Sequence, residues 1–389
     1  MIENRFPLTH THTHTHTHTH TRRSQEDDLK NQNENRRNYE LDFLKLVFAV
    51  FVLWTHTSNL EYSGAKATFP PMLGRIAVHF YFILSGMFMA NSIIKRNYIG
   101  NEPGKAAITF VMRKFKALAL NWVTAFVICA VVTRIAYHTT FEAMWNNLVR
   151  SIPEILLIQN TSSYMINRPV WYIAAMFFCM LPIAYLLYKK RDLTVNVLAP
   201  LASISLYLYM WNTDKGVLFL NYDVVGVFTG GVLDAFCGLV FGICAYSIYI
   251  HINKNANRNV RVLLTIAEVV LYGICFAVWF GLRNQKTAMA TLPLLPIAIS
   301  ITFSGQSYLM RLFELKWMRF FAPLSLMIFL NQQTARVIVI KYFPGRSYTS
   351  SVLLMWLFTA IVCFLSSLIV KLLKLLWEKK LKAALTKSD

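Results

Sequence analysis

The chain has 389 residues, 56% of them hydrophobic and only 15% charged, and it carries a formal net charge of +20. Its apolar residues stand in blocks of about 20, the length of helix that crosses a bilayer, rather than in the one-sided stripes of soluble helices. That patterning excludes a soluble enzyme, and the distribution of the basic residues excludes nucleic acid as the reason for the charge.

In chain order, residues 1–38 form a polar tail with no apolar core, expected to be disordered. It holds "THTHTHTHTHTH" at residues 9–20, six of the ten histidines. A histidine at every second position would line one side of an extended strand and could bind a transition metal weakly. The simpler reading is a low-complexity tail without chemistry, and no metal is expected in the function. About 40 polar residues precede the first apolar block, so no cleavable signal peptide is expected. Ten apolar blocks follow, near residues 42–59, 76–94, 117–136, 169–188, 193–210, 227–250, 261–280, 288–304, 323–340 and 351–370. The expected fold is all-α, a polytopic bundle of about ten transmembrane helices over residues 39–375, followed by a basic tail at 376–389. With the N-terminus inside, the inner segments hold 27 of the 39 Lys/Arg and the outer ones ten, while Lys45 and Arg336 lie within blocks. This asymmetry follows the positive-inside rule, so both termini are expected in the cytoplasm and the basic excess faces an anionic leaflet. The partner is the lipid bilayer, not nucleic acid. The six cysteines all fall within apolar blocks and form no CxxC, which argues against a disulfide framework or a zinc site.

The first block contains "KLVFAVFVLWTH", residues 45–56, with a lysine at one end and a histidine at the other. Eleven helical steps of about 100° make roughly 1100°, within about 20° of three full turns, and rise about 16 Å. Lys45 and His56 therefore share a face, one toward each leaflet, with Asp42 one turn before Lys45. Alone, Lys45 could snorkel to the headgroups and His56 could be a packed imidazole. Ionisable residues inside a span are costly and normally face a polar cavity, and the shared face favours a functional role. In the second block His79 and Gly86 are seven residues apart and share a face, with Ser85 beside Gly86. A Ser-Gly step commonly serves close helix packing, and the sharper alternative is a tunnel lining. Arg113, Lys114 and Lys116 precede the third block, where they could be positive-inside residues or phosphate ligands. Trp171 and Tyr172 open the fourth block as an interfacial pair or a surface for stacking a sugar. The outer stretch 137–168 has apolar residues at helical spacing in its middle and is expected on the membrane surface, as a contact for an acceptor. His138 and His251 are read as interfacial bystanders. Asp234 and Glu268 are buried acids that could pair with Arg336 across the bundle. Pro293 and Pro296 could break the eighth span.

Several of these stretches resemble the membrane-bound acyltransferase-3 family. "YELDFLKLVFAVFVLWTH" resembles its first helix, in which a basic residue and a histidine follow a Leu-Asp pair. "VHFYFILSGMFM" resembles its aromatic-aromatic-x-x-Ser-Gly signature, at Tyr81, Phe82, Ser85 and Gly86. "FVMRKFKALAL" resembles its R-x-x-R start of the third helix, at Arg113 and Lys116. "RPVWYIAAMFF" resembles its Trp-led fourth helix, and "APLSLMIFLNQQ" its late Ser-containing helix, at Ser325. Lys45 and Lys116 stand where the family usually has arginine, and Asn331-Gln332 where an aromatic or histidine is common. No soluble esterase domain is expected after the last span.

The resemblance implies an O-acyltransferase in a bacterial cytoplasmic (inner) membrane, class 2.3.1, moving an acyl group from cytoplasmic acyl-CoA, acetyl-CoA by preference, to a hydroxyl of an extracytoplasmic glycan. On that reading His56, Lys45 and Asp42 are catalytic, with His56 as general base or acyl carrier. Lys45, Arg113, Lys114, Lys116, Ser85 and Gly86 bind the donor, and Trp171, Tyr172 and His79 the acceptor. A polysaccharide or lipid-linked sugar transporter is the alternative, since buried charges and a proline-broken span fit either, although no repeat relates the two halves. A non-catalytic sensor has only the His tail in its favour.

Overall fold

The computed structural model describes residues 38–58, 72–96, 100–157, 165–212, 223–225, 228–252, 256–281, 285–314 and 323–385. The Thr-His run lies outside the described residues. The architecture is helical. The described β structure is one short antiparallel pair, β1 (Asp223–Val225) with β2 (Phe228–Thr229). Seven helical segments are long and apolar enough to cross a membrane: Leu73–Lys95, Pro103–Tyr137, Arg168–Lys189, Arg191–Asn212, Gly230–His251, Arg258–Gly281 and Tyr348–Lys379. The other three expected spans are also helical but shorter or more polar. They are α1 (Tyr39–Ser58), α11 (Leu294–Ser304) and α13 (Leu324–Tyr342).

α1 runs unbroken through both Lys45 and His56, with Glu40 and Asp42 in its first turn, where acidic groups favour the helix dipole. α2 (Met72–Lys95) returns antiparallel beside it: the Gly74 N–H donates to Thr55 Oγ1 at the His56 end (2.8 Å), and Tyr81 reaches the Lys45 carbonyl near the other. α3 (Pro103–Tyr137) has 35 residues, about 52 Å of helix against a hydrocarbon core of about 30 Å. It begins 14 residues before the expected block. Pro103 fits a first helical turn, and the alanines and basic residues beyond it are good helix formers. His138 closes α3 in a left-handed conformation, φ 48°, its N–H directed at the Arg134 and Ile135 carbonyls. It is a capping residue.

Two short helices follow, α4 (Phe141–Arg150) and α5 (Ile152–Ile155). The 3-10 turn Arg168–Val170 leads into α6 (Trp171–Lys189). A π turn at Thr194–Leu198 precedes α7 (Ala199–Asn212). Pro200 has no N–H and its ring would crowd the carbonyl one turn back, and the wider turn makes room for it. α8 (Gly230–His251) and α9 (Arg258–Gly281) come next. His251, at the end of α8, turns its Nδ1 to the Ser247 carbonyl (2.7 Å).

The eighth expected span is broken, as its prolines suggested. α10 (Gln285–Ala290) stops before a turn at residues 291–293 and α11 resumes at Leu294. The break is filled from within the bundle: Trp279 Nε1 donates to Thr291 Oγ1 at 2.8 Å, and Ser300 of α11 donates to the Ala245 carbonyl of α8 at 2.8 Å. α12 (Leu309–Phe313) and α13 lead to α14 (Tyr348–Leu385), a 38-residue helix that continues through most of the segment read as a C-terminal tail.

The core lies between α2 and α8, which pack on each other, with α6, α7 and α11 also against α8; α13 joins α1, α3 and α14. Small residues make the central crossing possible. A Cβ added at Gly86 would overlap the Leu239 carbonyl oxygen, and one at Gly242 the Ile83 carbonyl oxygen. Two backbones in contact, at a G-x-x-x-G step (Gly238, Gly242), are the packing solution typical of helices in lipid. The outer helices do the opposite: Leu263 of α9 and Phe364 of α14 are 65% and 69% exposed, as lipid-facing side chains are. The protein is a multi-pass helical membrane protein.

Candidate functional site

Lys45 and Asp42 meet at one end of α1. Lys45 Nζ lies 3.0 Å from Asp42 Oδ1, one turn earlier on the same face, and 5.3 Å over the Phe88 ring of α2. Asp42 is buried and Lys45 half-buried. The ammonium is therefore held in place by a carboxylate and an aromatic face.

Beside this pair stands an aromatic and hydroxyl cluster drawn from three helices, α2, α6 and α13. Tyr81 donates to the Lys45 carbonyl and its hydroxyl is within reach of Ser325 on α13. Ser85 Oγ is 3.4 Å from the Tyr172 hydroxyl. The Tyr81 and Tyr172 rings are 6.2 Å apart, each packs on Phe329, and Trp171 reaches the same cluster through Phe82 at 6.3 Å. Lys45, Ser85, Trp171 and Tyr172 are thus brought together, although they are far apart in sequence.

Gly86 and His79 take another direction. Both face α8, as their shared helical face requires. Gly86 lies against the Leu239 backbone, so its surface is filled by a helix. His79 Nδ1 is 2.6 Å from Asp234 Oδ1, with the His79 side chain wholly buried. Glu268 accepts from Thr302 Oγ1 and lies against Glu40. The two buried acids thus find partners other than the expected Arg336. His79 joins α2 to α8 through an ion pair or charge-assisted bond, and among the described residues its Nε2 has no hydrogen-bond partner.

Lys105 and Arg113 of α3, but not Lys114, line a cavity of about 310 Å³ together with Arg96 just after α2. Its walls are Arg96, Glu102, Lys105, Thr109, Phe110, Arg113 and Tyr188. Arg113 and Lys114 each stand 5.8 Å from the Phe110 ring, and Lys114 feels the charges of Arg113 and Arg96. Lys116 is exposed and outside this lining. Arg96, Lys105 and Tyr188 were missed at the sequence level because they are joined to Arg113 only through the helix turn and α6. Since α2 runs back toward the Lys45 end of α1, the cavity belongs to that end.

At the other end, His56 is half-buried, and among the described residues no hydrogen bond to its imidazole is found. Its electrostatic neighbours are two guanidiniums, Arg336 of α13 and Arg168 of the turn before α6. Neither was singled out as a site residue. Arg336 was legible as a lone charge within an apolar block, whereas the placement of Arg168 depends on long-range contacts. Those contacts centre on Glu154 of α5, whose carboxylate accepts from the Ile166 N–H (2.7 Å) and the Asn167 N–H (2.9 Å). Asn167 Nδ2 in turn donates to the Leu330 carbonyl of α13 at 2.9 Å. The stretch expected on the membrane surface therefore has a buried anchor. Its helix α4 exposes Phe141 and Trp145 on one side, which suits the interface.

Burial pushes the Glu154 carboxyl up to about 7 from 4.5, against the two backbone donors, which favour its charged form. With the folded value above the unfolded one, the folded state binds the proton more tightly between these limits. The associated stability is full below about 4.5 and is lost as the pH rises through about 7. The melting temperature of the purified protein should fall across that window. In Glu154→Gln, which cannot ionise, the fall should be shallower, and parallel profiles would contradict this account.

Residues 38–373 match the sequence profile of an acyltransferase-3 family, described as an acyltransferase domain. Against curated proteins and against solved structures the chain shows no significant match.

Proposed function

Because the chain belongs to the acyltransferase-3 family and is therefore a membrane acyltransferase, we propose that it moves an acyl group, acetyl by preference, from cytoplasmic acyl-CoA to a hydroxyl of an extracytoplasmic glycan. The observation that carries this reading is the single face of α1, with a held ammonium at one end and an imidazole about 16 Å away at the other. The phosphates of a CoA headgroup suit the cavity of Arg96, Lys105 and Arg113 and the ammonium of Lys45. The thin pantetheine arm can then follow α1 toward His56, past the hydroxyls of Tyr81, Ser85 and Tyr172. Both termini lie in the cytoplasm on this reading, with the His56 end outward.

At His56 the chemistry is acyl transfer. The neutral imidazole takes the proton of the acceptor hydroxyl while its oxygen attacks the thioester carbonyl. The tetrahedral intermediate collapses with cleavage of the C–S bond, and the thiolate leaves and is protonated to CoASH. Asp42 does not reach this centre. It acts by holding Lys45. The broken span at Thr291–Pro293, which favoured a transporter, is closed by side chains within the bundle.

The direct test is to purify the protein, supply labelled acetyl-CoA and glycan extracts, and follow both CoA release and label on the glycan. Release without label on any glycan fraction would refute the acceptor class. Lys45→Ala should raise the KM for acetyl-CoA by roughly 10- to 100-fold, the loss of one charge-assisted contact of about 1.5–3 kcal/mol. Protein level should change less than this. An unchanged KM would reduce Lys45 to a snorkelling residue.

A further inference from the structure

Three buried amide side chains meet α13 in the same incomplete way. Asn167 Nδ2 donates to the Leu330 carbonyl (2.9 Å), Asn331 Nδ2 to the Met327 carbonyl (2.9 Å) and Gln332 Nε2 to the Phe329 carbonyl (3.1 Å). In each, the amide oxygen is buried and has no hydrogen-bond donor among the described residues. Turning an amide over does not help, because its oxygen would then face a carbonyl oxygen. A buried acceptor is costly to leave unpaired, so such an oxygen points to a ligand that brings an N–H or O–H.

Of the three, Gln332 stands on the side of α13 that meets the aromatic and hydroxyl cluster. Phe329, one turn before it and about 60° around the helix, packs on Tyr81 at 6.3 Å and on Tyr172 at 5.1 Å. Ser325, seven residues before it, lies within about 20° of the same line. α13 runs alongside α1 in the same direction. Tyr81, against Phe329, donates to the Lys45 carbonyl, and farther along Ala335 and Val339 cluster with Leu53, one turn before His56. Gln332, 1% exposed, is therefore level with the middle of the Lys45–His56 face.

We propose that Gln332 Oε1 accepts a hydrogen bond from an amide N–H of the donor's pantetheine arm as the arm passes from the Lys45 end of α1 toward His56. This rests on the acyltransferase reading above and names a recognition residue for its donor. The pantetheine arm is thin and uncharged, and its two amides are the polar handles along its length. Stripped of water inside the bundle, their N–H groups need acceptors. A neutral oxygen at this level meets that need without a buried charge. It also fixes how far the arm reaches, so that the thioester stops at His56.

The test measures equilibrium binding to the full chain in lipid nanodiscs, without acceptor, of acetyl-CoA and two analogues. Each analogue has one pantetheine amide N–H replaced by an ester oxygen. Wild-type protein should bind one of them roughly fivefold or more weakly than acetyl-CoA, the loss of about one hydrogen bond. Gln332→Met keeps the length of the side chain and lacks its carbonyl. It should bind acetyl-CoA as weakly as wild type binds that analogue, and the gap between the two ligands should close. Its melting temperature should be unchanged or higher, since the unpaired oxygen is gone. A structural role for the amide would lower it. Gln332→Leu serves in its place if Gln332→Met yields no folded protein. Both analogues bound as tightly as acetyl-CoA by wild type, or a gap that persists in the Gln332 variant, would overturn the proposal and leave the acyltransferase reading intact. Wild-type protein that binds no acetyl-CoA at all would sink that reading, and the proposal with it.

Discussion

His56→Ala is expected to abolish CoA release from acetyl-CoA in the presence of glycan while leaving the protein folded. A positioned general base contributes about 10²- to 10⁴-fold to a transfer of this kind, and its removal should lower turnover by that factor. The fold should tolerate the change, because among the described residues no hydrogen bond depends on the imidazole. The neighbouring contacts that hold the α1–α2 corner belong to Thr55 and Gly74. His56→Gln is the second variant. It keeps the polar bulk beside Arg336 and Arg168 but cannot take a proton, so it should be as inactive as alanine. The pair of variants separates base chemistry from packing. If a rapid quench traps label on wild-type protein before any reaches glycan, the imidazole carries the acyl group itself. Full activity in both variants would remove His56 from the mechanism.

What the sequence allowed one to see, and what it hid, divides along one physical line. Relations within a helix were legible because helical geometry is periodic. The common face of Lys45 and His56, and that of His79 and Gly86, follow from residue spacing alone. What such a face meets is set by packing between segments, and no local pattern encodes it. His79 therefore has its partner 155 positions away, at Asp234. Gly86, read as a donor contact, instead abuts α8. The placement of Arg168 needs a relay through Glu154, Asn167 and Leu330, of which only the residues themselves were visible. Helix lengths were hidden for a different reason. Apolar blocks end at the first charges, whereas helix propensity does not, so α3 and α14 extend well beyond the blocks that announced them. The Tyr81, Ser85, Tyr172 and Ser325 cluster was within reach only through the family resemblance, which named the residues without their contacts.

The second large effect concerns that hidden packing. Gly86→Val and Gly242→Val should each strongly reduce the yield of folded protein, measured as the monodisperse fraction after detergent extraction. The physical reason is that the obstacle on each side is backbone. A β-carbon at Gly86 meets the Leu239 carbonyl and one at Gly242 meets the Ile83 carbonyl, so no rotamer change relieves the overlap. The helices must separate, and overpacking of a closed core costs about 1–3 kcal/mol or more per site. Separation would also stretch the buried His79–Asp234 contact, which is 2.6 Å in the native crossing. Its loss takes the imidazole partner from a buried carboxylate, which is a second cost. Gly104→Val provides the contrast, since a β-carbon there meets nothing within 4 Å. Alanine at Gly86 or Gly242 should be intermediate in yield. In whatever folded fraction survives, turnover should fall as well, because α2 carries Tyr81 and Ser85 on its other side and moves them with it. A Gly86→Val protein with normal yield and normal turnover would show that the α2–α8 crossing is not what positions the site.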